Sequence, residues 1–289
     1  MTKKSVLITG TSTGFGRRLV TEFLHAGWRV IATLRNAEDR RELFADDTAK
    51  AGDRLFILSL DVAREQERAA IAAFIEKQLG GRLDCLVNNA GYGVVGAFED
   101  LSEAQIREQM EVNFFGLALL TRDLLPWLRN ARGRLINVSS VLGYTGMPLS
   151  SLYCASKFAV EGLSEALYYE LQPHGVQVAL VEPGAYRTGF RTNIIYGEKS
   201  FDETSAYKSQ FAALSDYRNR RDDGPGTPID PVINAVMRLA AAKKMPLRVR
   251  CGKDAKAAYV AKRLLPAGLH RMVMSKVYEK LFARRTQES

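Results

Sequence analysis

Tyr153 and Lys157 stand four apart at the start of a run, LYCASKFAVEGLSEAL, whose apolar positions Phe158, Leu163 and Leu167 recur at helical spacing. That interval sets both side chains on one helix face. A lysine cation beside a phenol favours the phenolate, drawing the pKa down from about 10 toward the range of proton exchange at neutral pH. Ser140, thirteen residues upstream at the end of a strand-like run from Leu135 to Val138, supplies a second hydroxyl to the same point. The three form a candidate acid–base group for an alcohol or carbonyl oxygen. A lone Tyr-x-x-x-Lys pair also describes a solvated helix face, so its weight depends on the elements around it.

Ser5 to Thr9 is a short apolar run followed by TGTSTGFG, and then Leu19, Val20, Phe23 and Leu24 follow at helical spacing up to Gly27. Gly10, Gly14 and Gly16, with Ser12, Thr13 and Phe15 between them, permit a tight turn that brings helix N-terminal amides up to a pyrophosphate. Without the flanking strand and helix, the same glycines would read as an ordinary loop. The second strand, Arg29 to Leu34, runs into Arg35, where a fold selecting NAD places an acid on the ribose 2′-hydroxyl. A guanidinium there suits a 2′-phosphate, so NADP(H) is expected ahead of NAD(H), the alternative being a solvated loop charge. Further strands at 55–60, 85–91, 135–138, 177–181 and 247–249 alternate with helices, among them one from about Ser102 to Trp127 that Pro126 and Gly133 end. The pattern predicts an α/β fold: a single Rossmann-type doubly wound parallel sheet with helices on both faces and ligands at the strands' carboxyl ends.

Ser140, Tyr153 and Lys157 in this spacing resemble the catalytic group of the short-chain dehydrogenase/reductase family, and LYCASKFAVEGLSEAL is similar to its hydroxysteroid and retinol dehydrogenase branch. The likeness runs from about residue 5 to 190. T-G-x-x-x-G-x-G matches the family's glycine turn, although Thr13 stands where some NADP-dependent members carry a base. The resemblance implies that Asp61 and Val62 meet the adenine, and that Asn88, Ala90 and Gly91 of N-N-A-G line the cofactor and stabilise the sheet. It also implies that Pro183 and Gly184 turn across the nicotinamide while Thr188 bonds its carboxamide. Asn113 would hold a helix kink and a water linking Lys157 to solvent. Asp61 equally suits a helix N-cap for Ala63 onward, and Asn113 a purely structural cap.

The implied activity is hydride transfer between NADP(H) and a secondary alcohol or ketone. Tyr153 passes the proton, Ser140 holds the substrate oxygen, and Lys157 shifts the phenol and grips the nicotinamide ribose. Association into a dimer or tetramer, through the helices bearing Asn113 and Tyr153, belongs to the same implication. A non-catalytic NADP(H)-binding regulatory or scaffold protein is the alternative, against which the complete Asn, Ser, Tyr, Lys set argues.

From about 186 to 226 the alternation gives way to polar and aromatic residues with no strand, which reads as a substrate lid for an apolar alcohol or ketone, steroid- or retinoid-like, or else as a dimer face. Residues 1–253 then form the catalytic domain and 254–289 a basic extension. From 243 onward there are thirteen Lys or Arg against three Asp or Glu, more than the whole chain's net +9, so the preceding body is close to neutral. Such a balance points away from a nucleic-acid-coating protein. Apolar positions from Val260 to Leu281, broken by Pro266, alternate with Lys262, Arg263, Arg271 and Lys276; this pattern suits packing over the pocket, a partner subunit or peripheral membrane contact. Three scattered cysteines, Cys85, Cys154 and Cys251, fit a reduced cytoplasmic setting, and MTKKSVLITG has too short an apolar run for a signal peptide. His25, His174 and His270 show no metal spacing, and no metal is expected.

Overall fold

A computed structural model describes residues 3–186, 190, 193–222 and 227–283. Its centre is a seven-stranded sheet of β1 (Ser5–Thr9), β2 (Arg29–Leu34), β3 (Leu55–Ser59), β4 (Cys85–Asn88), β6 (Arg134–Val138), β7 (Gln177–Pro183) and β9 (Arg248–Cys251). The order is β3-β2-β1-β4-β6-β7-β9, every neighbouring pair parallel. Alternation along each strand divides the core in two. Val6 and Ile8 of β1 face α1 (Gly14–His25) and α8 (Asp230–Ala241), while Leu7 faces α3 (Glu65–Leu79) and α5 (Leu117–Ala131). Leu19, Val20 and Phe23 of α1 and Leu120, Leu124 and Leu128 of α5 are fully buried, which is the packing that their helical spacing anticipates.

Several expectations are corrected. Pro126 lies inside α5 and does not end it; the turn ends at Arg132, whose φ is 48°, because three buried leucines hold the helix axis past the missing amide. The expected helix from Ser102 divides into α4 (Glu103–Met110), capped by Ser102 and Gln105, then a π-helical stretch Glu111–Gly116, then α5. Asp61 is no helix cap: α3 begins at Glu65, and the Asp61 carboxylate accepts from the Ala63 amide at 3.1 Å. The segment read as strandless contains β8 (Ile195–Tyr196), paired with β5 (Val94–Val95), and the helix α7 (Lys208–Asp222). After β9 come α9 (Lys253–Leu264) and α10 (Ala267–Ala283), separated at Pro266 as expected. Leu281 and Phe282 of α10 pack with Phe211 and Leu214 of α7. The remaining helices are α2 (Ala45–Ala51) beside β3 and α6 (Ser151–Leu171), which carries Tyr153.

Candidate functional site

A cavity of about 1160 Å³ runs along the carboxyl ends of the strands. At one end the chain leaves β1 through Gly10 and Gly14, with φ of 69° and 58°, a backbone that glycine adopts without strain. Thr13 precedes α1 in extended conformation, and no side chain caps the helix, so its first-turn amides are available to a ligand's oxygens. Gly16 does not line the cavity; a Cβ there would collide with the Gly10 carbonyl and Asn89, so this glycine lets the helix pack on its own turn. Asn89 fastens that turn, its Nδ2 donating to the carbonyls of Thr9 at 2.9 Å and Gly10 at 3.0 Å. The Thr9 hydroxyl in return accepts from the amides of Asn89 and Ala90 at 3.0 and 2.9 Å.

Asn88 points elsewhere. Its Nδ2 donates to Thr121 Oγ1 and Asn137 Oδ1, both at 2.9 Å, and it lies off the cavity wall. The sheet-stabilising half of its expected role is what the geometry provides, whereas Ala90 and Gly91 do line the cavity. Beyond β2, Leu34 and the exposed Arg35 border the cavity, joined by Arg40, which sequence reasoning passed over in a charge-rich stretch without periodicity. Asp61 and Val62, after the neighbouring β3, line it as well.

Ser140, Tyr153 and Lys157 meet at the other end. Ser140 and Tyr153 both line this end of the cavity, and the Ser140 hydroxyl accepts from the Leu142 amide at 3.1 Å, which fixes its rotamer. Lys157, 5% exposed, donates to the Val138 carbonyl at 2.9 Å, its Nζ 5.8 Å from the Tyr153 ring centre. Burial pushes the phenol up to about 12, offset in part by the influence of the Ser140 hydroxyl, and pushes Lys157 down to about 8. The expected lowering of the phenol pKa is therefore reversed in this geometry, because desolvation outweighs the charge of an ammonium that points at a carbonyl.

Asn113 is 1% exposed, on the π-helical stretch behind Gly91. Its Nδ2 donates to the carbonyl of Tyr92 at 2.8 Å and to Ser156 Oγ at 3.2 Å, and its Oδ1 accepts from the Tyr92 amide at 3.1 Å. The amide thus ties the N-N-A-G segment to α6. Gly91 leaves the approach open, since a Cβ there would meet Asn113 Oδ1 at 3.1 Å and Lys157 Nζ at 3.9 Å.

Pro183 and Gly184 line the same cavity as Tyr153, while Thr188 lies outside the described residues. Leu142, Met147, Phe190, Ile194 and Ile195 give the cavity an apolar wall, with the Tyr153 and Phe190 rings 5.5 Å apart edge to face, while Asn193, Tyr217, Arg218 and Thr227 also border it. Asp254 and Ala258 of α9 also reach the cavity, although neither belongs to any local motif.

The model of the short chain dehydrogenase family matches residues 4–199. The chain is 35% identical over 289 residues to an uncharacterized oxidoreductase, YusZ, of Bacillus subtilis, spanning 98% of this chain and 100% of that one. To a 3-ketodihydrosphingosine reductase of Bacteroides thetaiotaomicron it is 34% identical over 254 residues, 87% and 89% of the two chains. The crystal structure of a short-chain dehydrogenase from Streptomyces avermitilis superposes with a TM-score of 0.78 at 35% identity, covering 96% of each chain. Fold and likeness agree: the chain belongs to the short-chain dehydrogenase family of oxidoreductases.

Proposed function

We propose that this oxidoreductase uses NADP(H) in preference to NAD(H) to interconvert a secondary alcohol and its ketone, with a substrate whose body is apolar. The observation that carries the reading is the Ser140–Tyr153 hydroxyl pair over Lys157, set in one cavity with an uncapped helix N-terminus at its far end. The residues present fit a dinucleotide. Gly10, Ser12, Thr13, Gly14 and Phe15 offer backbone amides to a diphosphate, and Gly16 holds the turn. Arg35, which makes no ion pair among the described residues, takes the 2′-phosphate with Arg40 beside it. Asp61 and Val62 border the adenine, Ala90 and Gly91 the riboses, and Asn88 supports them from within the sheet. Pro183, Gly184 and Thr188 hold the nicotinamide.

When bound, the nicotinamide supplies or accepts the hydride. Tyr153 gives its proton to the carbonyl oxygen in reduction, for which a phenol that is neutral at pH 7 is the competent form. Ser140 donates to that same oxygen as charge develops on it. Lys157 holds the ribose and restores the proton, with Asn113 ordering the route to solvent. The apolar wall of Met147, Phe190 and Ile194 suits a steroid- or retinoid-like ketone, and the likeness to a reductase of a long-chain keto base is in keeping with that class.

Residues 1–253 serve as the catalytic domain and 254–289 as a basic extension packed on or extending from it. The chain pairs with copies of itself through α5 and α6, the latter exposing Phe158 and Tyr169, and its buried free cysteines suit the cytoplasm. Tyr153→Phe tests the central assignment. Turnover of apolar ketones with NADPH should fall by a factor of about 100 or more while NADPH affinity is largely kept. Unchanged turnover would remove Tyr153 as the acid, and no turnover of any steroid, retinoid or long-chain ketone by the parent protein would remove the substrate class.

A further inference from the structure

The first turn of α9 touches both walls of the reactive end. Asp254 Oδ2 accepts from the Ala185 amide at 2.7 Å, immediately after Pro183 and Gly184, while the Gly184 amide donates to the Cys251 carbonyl at 2.9 Å. One residue further, the Ala255 carbonyl accepts from the Tyr144 hydroxyl at 2.7 Å. Tyr144 closes the short turn Val141–Gly143 whose N-cap is Ser140, and its ring meets Tyr259 of α9 edge to face at 5.9 Å. Tyr259 is held in turn by the Arg250 guanidinium, 3.3 Å from its ring centre.

An acid in the first turn of a helix ordinarily serves that helix. Here no side chain caps α9, and the carboxylate reaches outward across two glycines. A Cβ on Gly184 would collide with the Asp254 carboxylate, and so would one on Gly252, whose φ is 105°. Gly252, Asp254 and Gly184 are matched so that a charged acceptor can grip a backbone amide on the cavity wall. Charge-assisted bonds of this kind are about twice as strong as neutral ones.

We propose that Asp254 is a positioning residue for hydride transfer: it fixes the Pro183–Ala185 turn while its neighbour Ala255 fixes the Ser140 turn, so that α9 sets the separation between the nicotinamide wall and the hydroxyl pair. The inference rests on the reading of this end as the nicotinamide pocket, and it gives residues beyond the family match at 4–199 a part in the reaction. A misplacement of about 1 Å is enough to cost a hundredfold in rate, so losing the tie has its effect on turnover and on the nicotinamide half of the cofactor only.

The test uses the full chain with Asp254→Ala and Asp254→Asn. Three measurements are made: amide hydrogen exchange at 183–186 without cofactor, affinity for NADPH against adenosine 2′,5′-bisphosphate, and ketone-reduction kinetics. Asp254→Ala should speed exchange at Ala185, weaken NADPH by about tenfold, lower kcat by about tenfold to a hundredfold, and leave the bisphosphate within about twofold. Asp254→Asn, which keeps an oxygen acceptor, should recover most of each loss. Equal weakening of NADPH and the bisphosphate, or exchange and kcat that do not change in Asp254→Ala, would overturn the proposal. A parent protein that binds neither nucleotide would overturn the nicotinamide reading itself, and the role of Asp254 with it.

Discussion

The reactive residues work against their surroundings. Lys157 has its charge buried, and its pKa falls to about 8, so the ammonium is lost at moderately alkaline pH. Tyr153 keeps its proton to about 12. In the pH profile of kcat/KM for ketone reduction, which reports groups before substrate binds, the rate should therefore bend downward as pH rises through about 8. A profile flat to pH 10 would show that Lys157 retains its proton or has no part in the step. Arg35 allows a second test at this scale. Arg35→Glu sets a carboxylate where a 2′-phosphate would lie, and like charges so placed cost several kcal/mol. The variant should lose on the order of a hundredfold in kcat/KM with NADPH and little with NADH. Equal losses with both would make Arg35 a general support of the loop.

At the level of elements, α6, β7 and β9 are joined by a network of charges. Glu182 of β7 is fully buried, its carboxylate 3.0 Å from Arg250 Nε and 3.4 Å from Arg248 Nε, while Arg248 also pairs with Glu161 and Glu165 of α6. Burial and the nearby Glu161 carboxylate push Glu182 up to about 7, with the two arginines only partly offsetting them. The folded chain thus keeps a proton that the unfolded chain gives up above about 4.5, and the associated stability is lost as pH rises from 4.5 to 7. Glu182→Gln removes that dependence. Its melting temperature should gain on the parent's across this window, by the equivalent of on the order of 1–3 kcal/mol, and stay parallel above pH 7. A gap independent of pH would mean that Glu182 ionises normally. This network shows where sequence stops informing. The strands, the glycine turn and the Tyr153 helix were legible because a period of two, a period of 3.6 and glycine's backbone freedom are local properties. The π-helical stretch at Asn113, the β5–β8 pairing and the inward turn of Asn88 beside Asn89 depend on what packs against them. Desolvation of Tyr153 is likewise a property of the assembled fold, and so its direction was misread from the Tyr-x-x-x-Lys spacing alone.

Over the whole molecule, charge and apolar surface collect on the final two helices. The inner face of α10 is occupied, with Tyr278 donating to the Gly146 carbonyl at 3.0 Å and Phe282 packed toward α7. Its outer face, continued on α9, exposes Val260, Leu264, Met272 and Val277 among Lys262, Arg263, Arg271, Lys276 and Lys280. Among the described residues no helix is long and apolar enough to cross a membrane. Two copies of so basic a face repel each other, whereas an anionic bilayer offers both the counter-charge and an apolar layer at headgroup depth. The full chain should sediment with vesicles containing phosphatidylserine at low salt, much less with phosphatidylcholine alone, and the difference should shrink as salt is raised. Leu264→Glu with Val277→Glu should abolish that binding while leaving turnover of a water-soluble ketone unchanged, because neither side chain reaches the cavity. Sedimentation that ignores both lipid charge and these substitutions would rule out a bilayer as the partner of this face, and a dimer lost in the same double variant would assign the surface to a second copy of the chain.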